Sequence, residues 1–238
     1  MSRSNDDEEI PPDIIERVLG SFSPIPPQAA RRAGRLVVFN ENGRRTPIFW
    51  CFNHFGEPYL LAARLGADQP LYAMHSFQGV VEKPSQKRRY RSHLANLYTQ
   101  SILDHAAGPR IVIGGNCQSA LIAEAVARNV AARTGRHPLL MMLEHDPAAA
   151  CEGPLLLLFG DQSRAYNPFL READPVSRWR ERHRNVAWGI LKGAHGTYFR
   201  EPGILDLTGF LRRAVDVFDE TGRIPDGAMQ PAAPADAM

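Results

Sequence analysis

Cysteine is scarce in this chain. Three occur, Cys51, Cys117 and Cys151, with no C-x-x-C pair and no clustered His/Cys spacing. That excludes a disulfide framework and a structural zinc site, and no metal is expected. Long apolar runs are missing too: the longest, Leu155 to Phe159, suits a buried strand and falls far short of a membrane span. Neither sign of charge dominates. The formal net charge of +2 gives no reason to expect nucleic acid or a membrane surface as partner. There is no internal repeat. The opening stretch, Met1 to Glu9, is polar and acidic, unlike a secretory leader. The expectation is a cytoplasmic protein with reduced thiols, where a free nucleophilic cysteine can persist.

What remains is a chain of 238 residues with an ordinary apolar content of 44%, which fits one large α/β domain. Residues 1–35 read as a polar, proline-rich segment, with a short helix at Asp13 to Leu19 and a connector at Ser23 to Pro27. Residues 36–222 form the folded domain. Residues 223–238, rich in Pro and Ala, read as a disordered tail. Within the domain, Leu36–Phe39, Ile48–Phe52, Leu71–Met74, Arg110–Ile113, Leu139–Leu143, Leu155–Phe159 and Asn185–Leu191 read as strands. Helical spacing covers Pro58–Leu65, Tyr90–Ala107, Gln118–Thr134 and Ile204–Phe218. Continuous apolar strands alternating with helices predict an open, mostly parallel sheet covered on both faces.

One turn carries chemistry. Residues 111–119 run Ile-Val-Ile-Gly114-Gly115-Asn116-Cys117-Gln118-Ser119, followed at once by an alanine-rich helix. A strand, a glycine turn, one reactive side chain and a helix outline a nucleophile elbow. The positions two before and two after the nucleophile must be small, because strand and helix backbones pass close there; Gly115 meets this need and Ser119 nearly so. The helix start predicts a lowered Cys117 thiol pKa and an oxyanion donor in the Gln118 amide. Cys51 and Cys151 lack such a context and read as structural.

A thiol nucleophile works best with a general base, and the base with an orienting acid. In chain order the base belongs in a loop after the last strand. Lys192-Gly193-Ala194-His195-Gly196 lies there, which singles out His195. The acid stays open on these grounds. Glu144 and Asp161 both end strands at the carboxyl edge expected to be catalytic, Asp146 is a third choice, and a cysteine also tolerates a dyad with no acid.

Taken together these segments resemble the thioesterase domains of nonribosomal peptide and polyketide synthases, members of the α/β-hydrolase superfamily. Thr46 to Gly56 looks like that family's opening strand and oxyanion loop, and Gln69 to Met74 like its next strand. Gly115 to Ser119 fills the elbow, Leu140 to Glu144 the strand ending in the acid, and Gly193 to Tyr198 with Glu201-Pro202 the histidine loop. The resemblance supports Glu144 over Asp161, since relatives with the later acid carry it three residues after a glycine, and here that position is Ser163. It implies an α/β-hydrolase fold, a Cys117–His195–Glu144 triad, and oxyanion amides at Gln118 and at His54 or Phe55. It also implies a substrate held as a thioester on the phosphopantetheine of an acyl or peptidyl carrier protein, with no bound cofactor.

Four departures from the family pattern stand out. Cysteine replaces serine, and glutamate replaces the common aspartate. Phe52-Asn53-His54-Phe55-Gly56 replaces a His-Pro-Gly-Gly type of loop. The segment after Glu144 is too short for the usual helical lid, so residues 161–185 or the N-terminal segment are left to cover the pocket. The expected activity is hydrolysis of carrier-bound thioesters, with acyl transfer or cyclisation, or a non-catalytic binding role, as alternatives. Two arginine-rich stretches, Lys87 to Arg91 and Arg178 to Arg184, are candidates to meet an acidic carrier, though solvated charge on a helix or loop is the more common explanation of such runs. His54 and His75 are candidates to line the pocket.

Overall fold

Strands made of unbroken apolar residues leave neither face to water and need cover on both sides. The computed structural model describes residues 10–21, 30–81, 88–106 and 108–233. Its strands in chain order are β1 (Ala30–Ala33), β2 (Leu36–Phe39), β3 (Ile48–Phe52), β4 (Leu71–His75), β5 (Val112–Asn116), β6 (Leu139–Leu143), β7 (Pro154–Gly160), β8 (Asn185–Leu191) and β9 (Gly227–Ala228). Among the described residues they form one sheet in the order β1-β2-β4-β3-β5-β6-β7-β8-β9. Only β2 opposes its neighbours; from β4 across to β9 every pairing is parallel.

The period-two rule of strands sorts side chains into two cores. In β6, Leu140 and Met142 face one layer, while Leu139, Met141 and Leu143 face the other. The first layer takes in buried residues of α1 (Pro12–Gly20), α3 (Arg88–His105), α4 (Ala120–Thr134) and α5 (Pro175–Arg182). The second takes in α2 (Glu57–Leu65) and α6 (Gly203–Thr221).

The ends differ from expectation. The chain turns at Gly222, the left-handed cap of α6, and returns to the open edge of β8. There Gly227 and Ala228 pair with Ala187 and Trp188, and Ile224 and Met229 are buried. Asn185 clamps the return, accepting the Ile224 N–H (3.0 Å) and donating to its carbonyl (2.8 Å). The segment expected to be a disordered tail therefore packs against the sheet and α6 as far as Ala232, whose N–H donates to Gly209 O (3.1 Å). Edge hydrogen bonding and two apolar anchors outweigh its Pro/Ala composition. Residues 234–238 and the connector at Ser23 to Pro27 lie outside the described residues.

Candidate active site

β5 carries Cys117 to the carboxyl edge of the sheet, where the chain reverses. Cys117 has φ +50°, a left-handed conformation costing a residue with a Cβ about 1–2 kcal/mol. The predicted helix opens as a 3-10 turn, Cys117–Ser119, before α4. A Cβ on Gly115 would stand 2.9 Å from Ser119 O and 3.0 Å from Ala120 Cα, so only glycine allows this approach. Ser119 does more than stay small: its hydroxyl accepts the Asn116 N–H (3.0 Å) and lies 2.6 Å from Cys51 O. Trp50 Nε1 donates to Asn116 Oδ1 (3.1 Å) and Asn53 Nδ2 to Asn116 O (2.9 Å). These buried bonds fix the strained turn.

His195 reaches Cys117 from the loop after β8. Its Nε2 is 3.5 Å from Cys117 Sγ, and its Nδ1 is 3.2 Å from Glu144 Oε2. Nδ1 lies 3.7 Å from the same sulfur, so both ring nitrogens stand close to it; a carboxylate at Nδ1 favours the ring proton there and leaves Nε2 free to accept. Glu144 follows β6, is fully buried and also has positive φ, +62°. Its Oε1 accepts the Gly160 N–H (2.6 Å), and its Oε2 accepts the Ser163 hydroxyl. The other acid candidates are engaged elsewhere. Asp161 Oδ1 accepts the N–H of Gly193 (2.8 Å), whose φ of +120° calls for glycine. Asp146 accepts Trp179 Nε1 (3.1 Å) and Arg178 (2.8 Å), tying α5 to the loop after β6.

The thiol departs from the sequence expectation. Burial pushes the Cys117 pKa up to about 12, with the charges of Glu144 and Glu57 adding to it, while the Tyr198 hydroxyl and the Gln118 N–H act against it. The helix end alone does not overcome loss of water. A thiol so raised is protonated at neutral pH, with an imidazole nitrogen 3.5 Å from its sulfur. Burial also raises the other two cysteines, Cys151 to about 11.

Two tyrosines escaped the sequence reading as site residues. Tyr198, buried, sets its hydroxyl against Cys117 Sγ. Tyr166, from the segment between β7 and α5, stacks on the His195 ring with centroids 4.0 Å apart and planes 15° from parallel. That segment covers the histidine where a lid is lacking. Tyr198 lies three residues after His195 and carried a positional signal; Tyr166 carried none.

The oxyanion loop also differs. The Gln118 N–H is directed at the sulfur. The His54 N–H, expected to face an oxyanion, instead donates to Glu57 Oε2 (3.2 Å), as does the Asn53 N–H (3.0 Å). Glu57 at the start of α2 folds back over the loop and takes those amides. Phe55 stacks its ring on His75 (4.3 Å, 6°). His75 is buried beneath that ring instead of lining the pocket, and burial lowers its pKa to about 4. A cleft of about 520 Å³ opens over Cys117; Asn53, His54, Glu57, Gln78, Asn116 and His145 contribute to its polar walls, and Leu121 is the aliphatic side chain among its described lining residues. Among the described residues no group of three or more His, Cys, Asp or Glu converges as metal ligands.

No family model matches the sequence, and no curated protein does. Solved structures do. The chain is similar to the NocB thioesterase domain in covalent complex with a fluorophosphonate nocardicin G analog, at 16% identity and TM-score 0.56, over 75% of this chain and 98% of that one. It is similar to YbtT, a type II thioesterase from the yersiniabactin NRPS/PKS pathway, at 14% identity and TM-score 0.52, over 72% and 93%. The Vlm2 thioesterase domain matches at 14% identity and TM-score 0.53, over 71% and 96%. The chain has the α/β-hydrolase fold. Cys117 lies in the turn after β5, Glu144 directly after β6 and His195 in the loop between β8 and α6.

The arginines after residue 177 are engaged within this hydrolase fold. Arg178 pairs with Asp146 and Glu172, Arg182 donates to Ala148 O (3.2 Å), and Arg184 pairs with Glu152 (3.0 Å). Arg180 lies over the Trp188 ring (5.9 Å). Lys87, in the other basic stretch, lies outside the described residues.

Proposed function

We propose that this chain is a thioesterase of natural-product biosynthesis, acting on an acyl or peptidyl group held on a carrier protein's phosphopantetheine through a Cys117–His195–Glu144 triad. The observation that carries the reading is the line from Cys117 Sγ through His195 (3.5 Å) to Glu144 (3.2 Å), set on a strained elbow in a fold shared with biosynthetic thioesterase domains. His195 Nε2 takes the thiol proton as Sγ bonds to the thioester carbon. The tetrahedral oxyanion accepts the Gln118 N–H. Collapse breaks the carbon–sulfur bond to the arm, and the proton on His195 goes to the leaving thiolate. His195 then deprotonates the second nucleophile, which attacks the acyl-cysteine and returns Cys117 as a thiol.

Cysteine bears on what that second nucleophile is. Exchange of one thioester for another is nearly neutral in free energy, so the acyl-enzyme keeps the reactivity of its substrate, particularly toward amines. Water gives hydrolysis, while an amine or alcohol gives transfer or cyclisation. Incubation of the full chain with an acylated carrier protein, with and without candidate amines, separates these outcomes. Free acid in every case identifies a hydrolase, and amide formed at the expense of acid identifies a transferase. Turnover by Cys117→Ala equal to that of the wild type contradicts the covalent route through Cys117, and no turnover above background by the wild type leaves a binding protein.

A further inference from the structure

Among the described residues lining the cleft, Glu57 is the one charged side chain that this chemistry leaves without a role. Its Oε2 accepts the Asn53 N–H (3.0 Å) and the His54 N–H (3.2 Å), with Asn116 Nδ2 at 3.5 Å. Asn116 directly precedes the nucleophile. In the sheet, β3 borders β5 on one side and β6 to β8 lie on the other. Glu57 therefore flanks Cys117 on the β3 side, opposite His195. Leaving group and acceptor exchange protons with His195, so a group on the β3 side meets the acyl portion of a substrate instead.

Among the described residues no lysine or arginine pairs with this carboxylate; burial raises its pKa, and the Asn53 and His54 amides and the His54 charge act against that rise. No lysine or arginine is among the described residues lining the cleft, and Glu57 makes no ion pair among the described residues. Its Oε1 accepts no hydrogen bond from them, though Glu57 lines the cleft. A bare negative charge beside a forming oxyanion opposes the reaction. A substrate cation seated between the two removes that conflict and adds a charge-assisted hydrogen bond. The cleft walls set amides, imidazoles and this carboxylate beside the rings of Tyr166 and Tyr198, with Leu121 as the aliphatic side chain among the described lining residues.

We propose that Glu57 recognises a free ammonium on the acyl group, so that the site selects aminoacyl thioesters. This rests on the thioesterase reading and names its substrate class. An α-amino group is one carbon from the carbonyl, which keeps it within a side chain's reach of the atom Cys117 attacks. The covalent step is unchanged: the Sγ–carbon bond forms, the arm's carbon–sulfur bond breaks, and the ammonium takes no part in proton transfer.

The test uses alanyl-, N-acetylalanyl- and propionyl-pantetheine with the full chain, each kcat/KM divided by the uncatalysed hydrolysis rate of that thioester. The wild type is expected to favour alanyl over both uncharged thioesters by on the order of tenfold or more. Glu57→Gln keeps an oxygen for the Asn53 and His54 amides but loses the charge, and is expected to bring that ratio down by about the same factor. A wild-type ratio near one overturns the proposal, whether or not the variant folds. So does a Glu57→Gln variant that lowers all three rates equally, which confines Glu57 to holding the loop. If Cys117 gains no acyl group from any of the three, the thioesterase reading itself fails and takes this one with it.

Discussion

Replacing Glu144 by glutamine keeps the side chain's shape and removes its charge. The carboxylate accepts three hydrogen bonds, from Gly160 N–H (2.6 Å), the Ser163 hydroxyl and His195 Nδ1 (3.2 Å). An amide offers one acceptor oxygen and two N–H donors. With that oxygen kept on Gly160, the NH2 faces Ser163 and His195. The imidazole must then accept at Nδ1 and carry its proton on Nε2, the nitrogen nearer Cys117 Sγ (3.5 Å). A thiol pushed up to about 12 is left without a base. Loss of the correct tautomer and of charge stabilisation predicts a fall in kcat/KM of about 100- to 10,000-fold, or about 3–5 kcal/mol of transition-state stabilisation. The assay is acylation and turnover of a pantetheine thioester, with a thermal melt to separate chemistry from folding, since altered bonding at a fully buried site costs about 1–3 kcal/mol of stability. Asp161→Asn is the control: it keeps an oxygen for Gly193 N–H, and its activity is expected within about tenfold of wild type. A folded Glu144→Gln protein within about threefold of wild type, well short of the loss a wrong tautomer brings, would refute the assignment of the acid.

Two further outcomes follow from the geometry of the elbow. Burial holds Cys117 as a thiol whose anionic fraction grows with pH up to about 12, so its alkylation by iodoacetamide should rise by about tenfold per pH unit from neutrality upward; a plateau near neutral pH would reveal a preformed thiolate and contradict this. Gly115→Ala sets a Cβ 2.9 Å from Ser119 O and 3.0 Å from Ala120 Cα, and should cost about 1–3 kcal/mol in a denaturant melt together with most of the activity; an unchanged melt and rate would show that the elbow does not depend on this close approach.

The interior of the fold was legible because unbroken apolar strands leave few alternatives. Leu36–Phe39, Ile48–Phe52, Leu139–Leu143 and Asn185–Leu191 have the bounds the residue pattern gives. Cys117 and His195 were legible because glycines on the approach to the one and on both sides of the other mark turns that expose a side chain. What escaped lacks such local signals. β1, Ala-Arg-Arg-Ala, is an edge strand with one buried residue, and nothing in its pattern alternates. The segment after Gly222 owes its order to Ile224 and Met229 finding the sheet, which composition cannot reveal. Glu57 stands just before the helix expected at Pro58–Leu65 and carries no signal there; its hold on the Asn53 and His54 amides comes from the way α2 folds back over the loop. The thiol expectation failed for a related reason. A helix end is a local feature, whereas the burial that outweighs it belongs to the whole site.

The central claim is that Cys117 carries the acyl group. Mixing the full chain with an acyl-pantetheine thioester, quenching in acid during turnover and mapping the peptides by mass tests it most directly. The account predicts an adduct of the acyl mass on the Cys117 peptide, absent from Cys117→Ala and depleted when an accepting nucleophile is added. Continued turnover with an unmodified Cys117 peptide, or an adduct on Cys51 or Cys151, would contradict it.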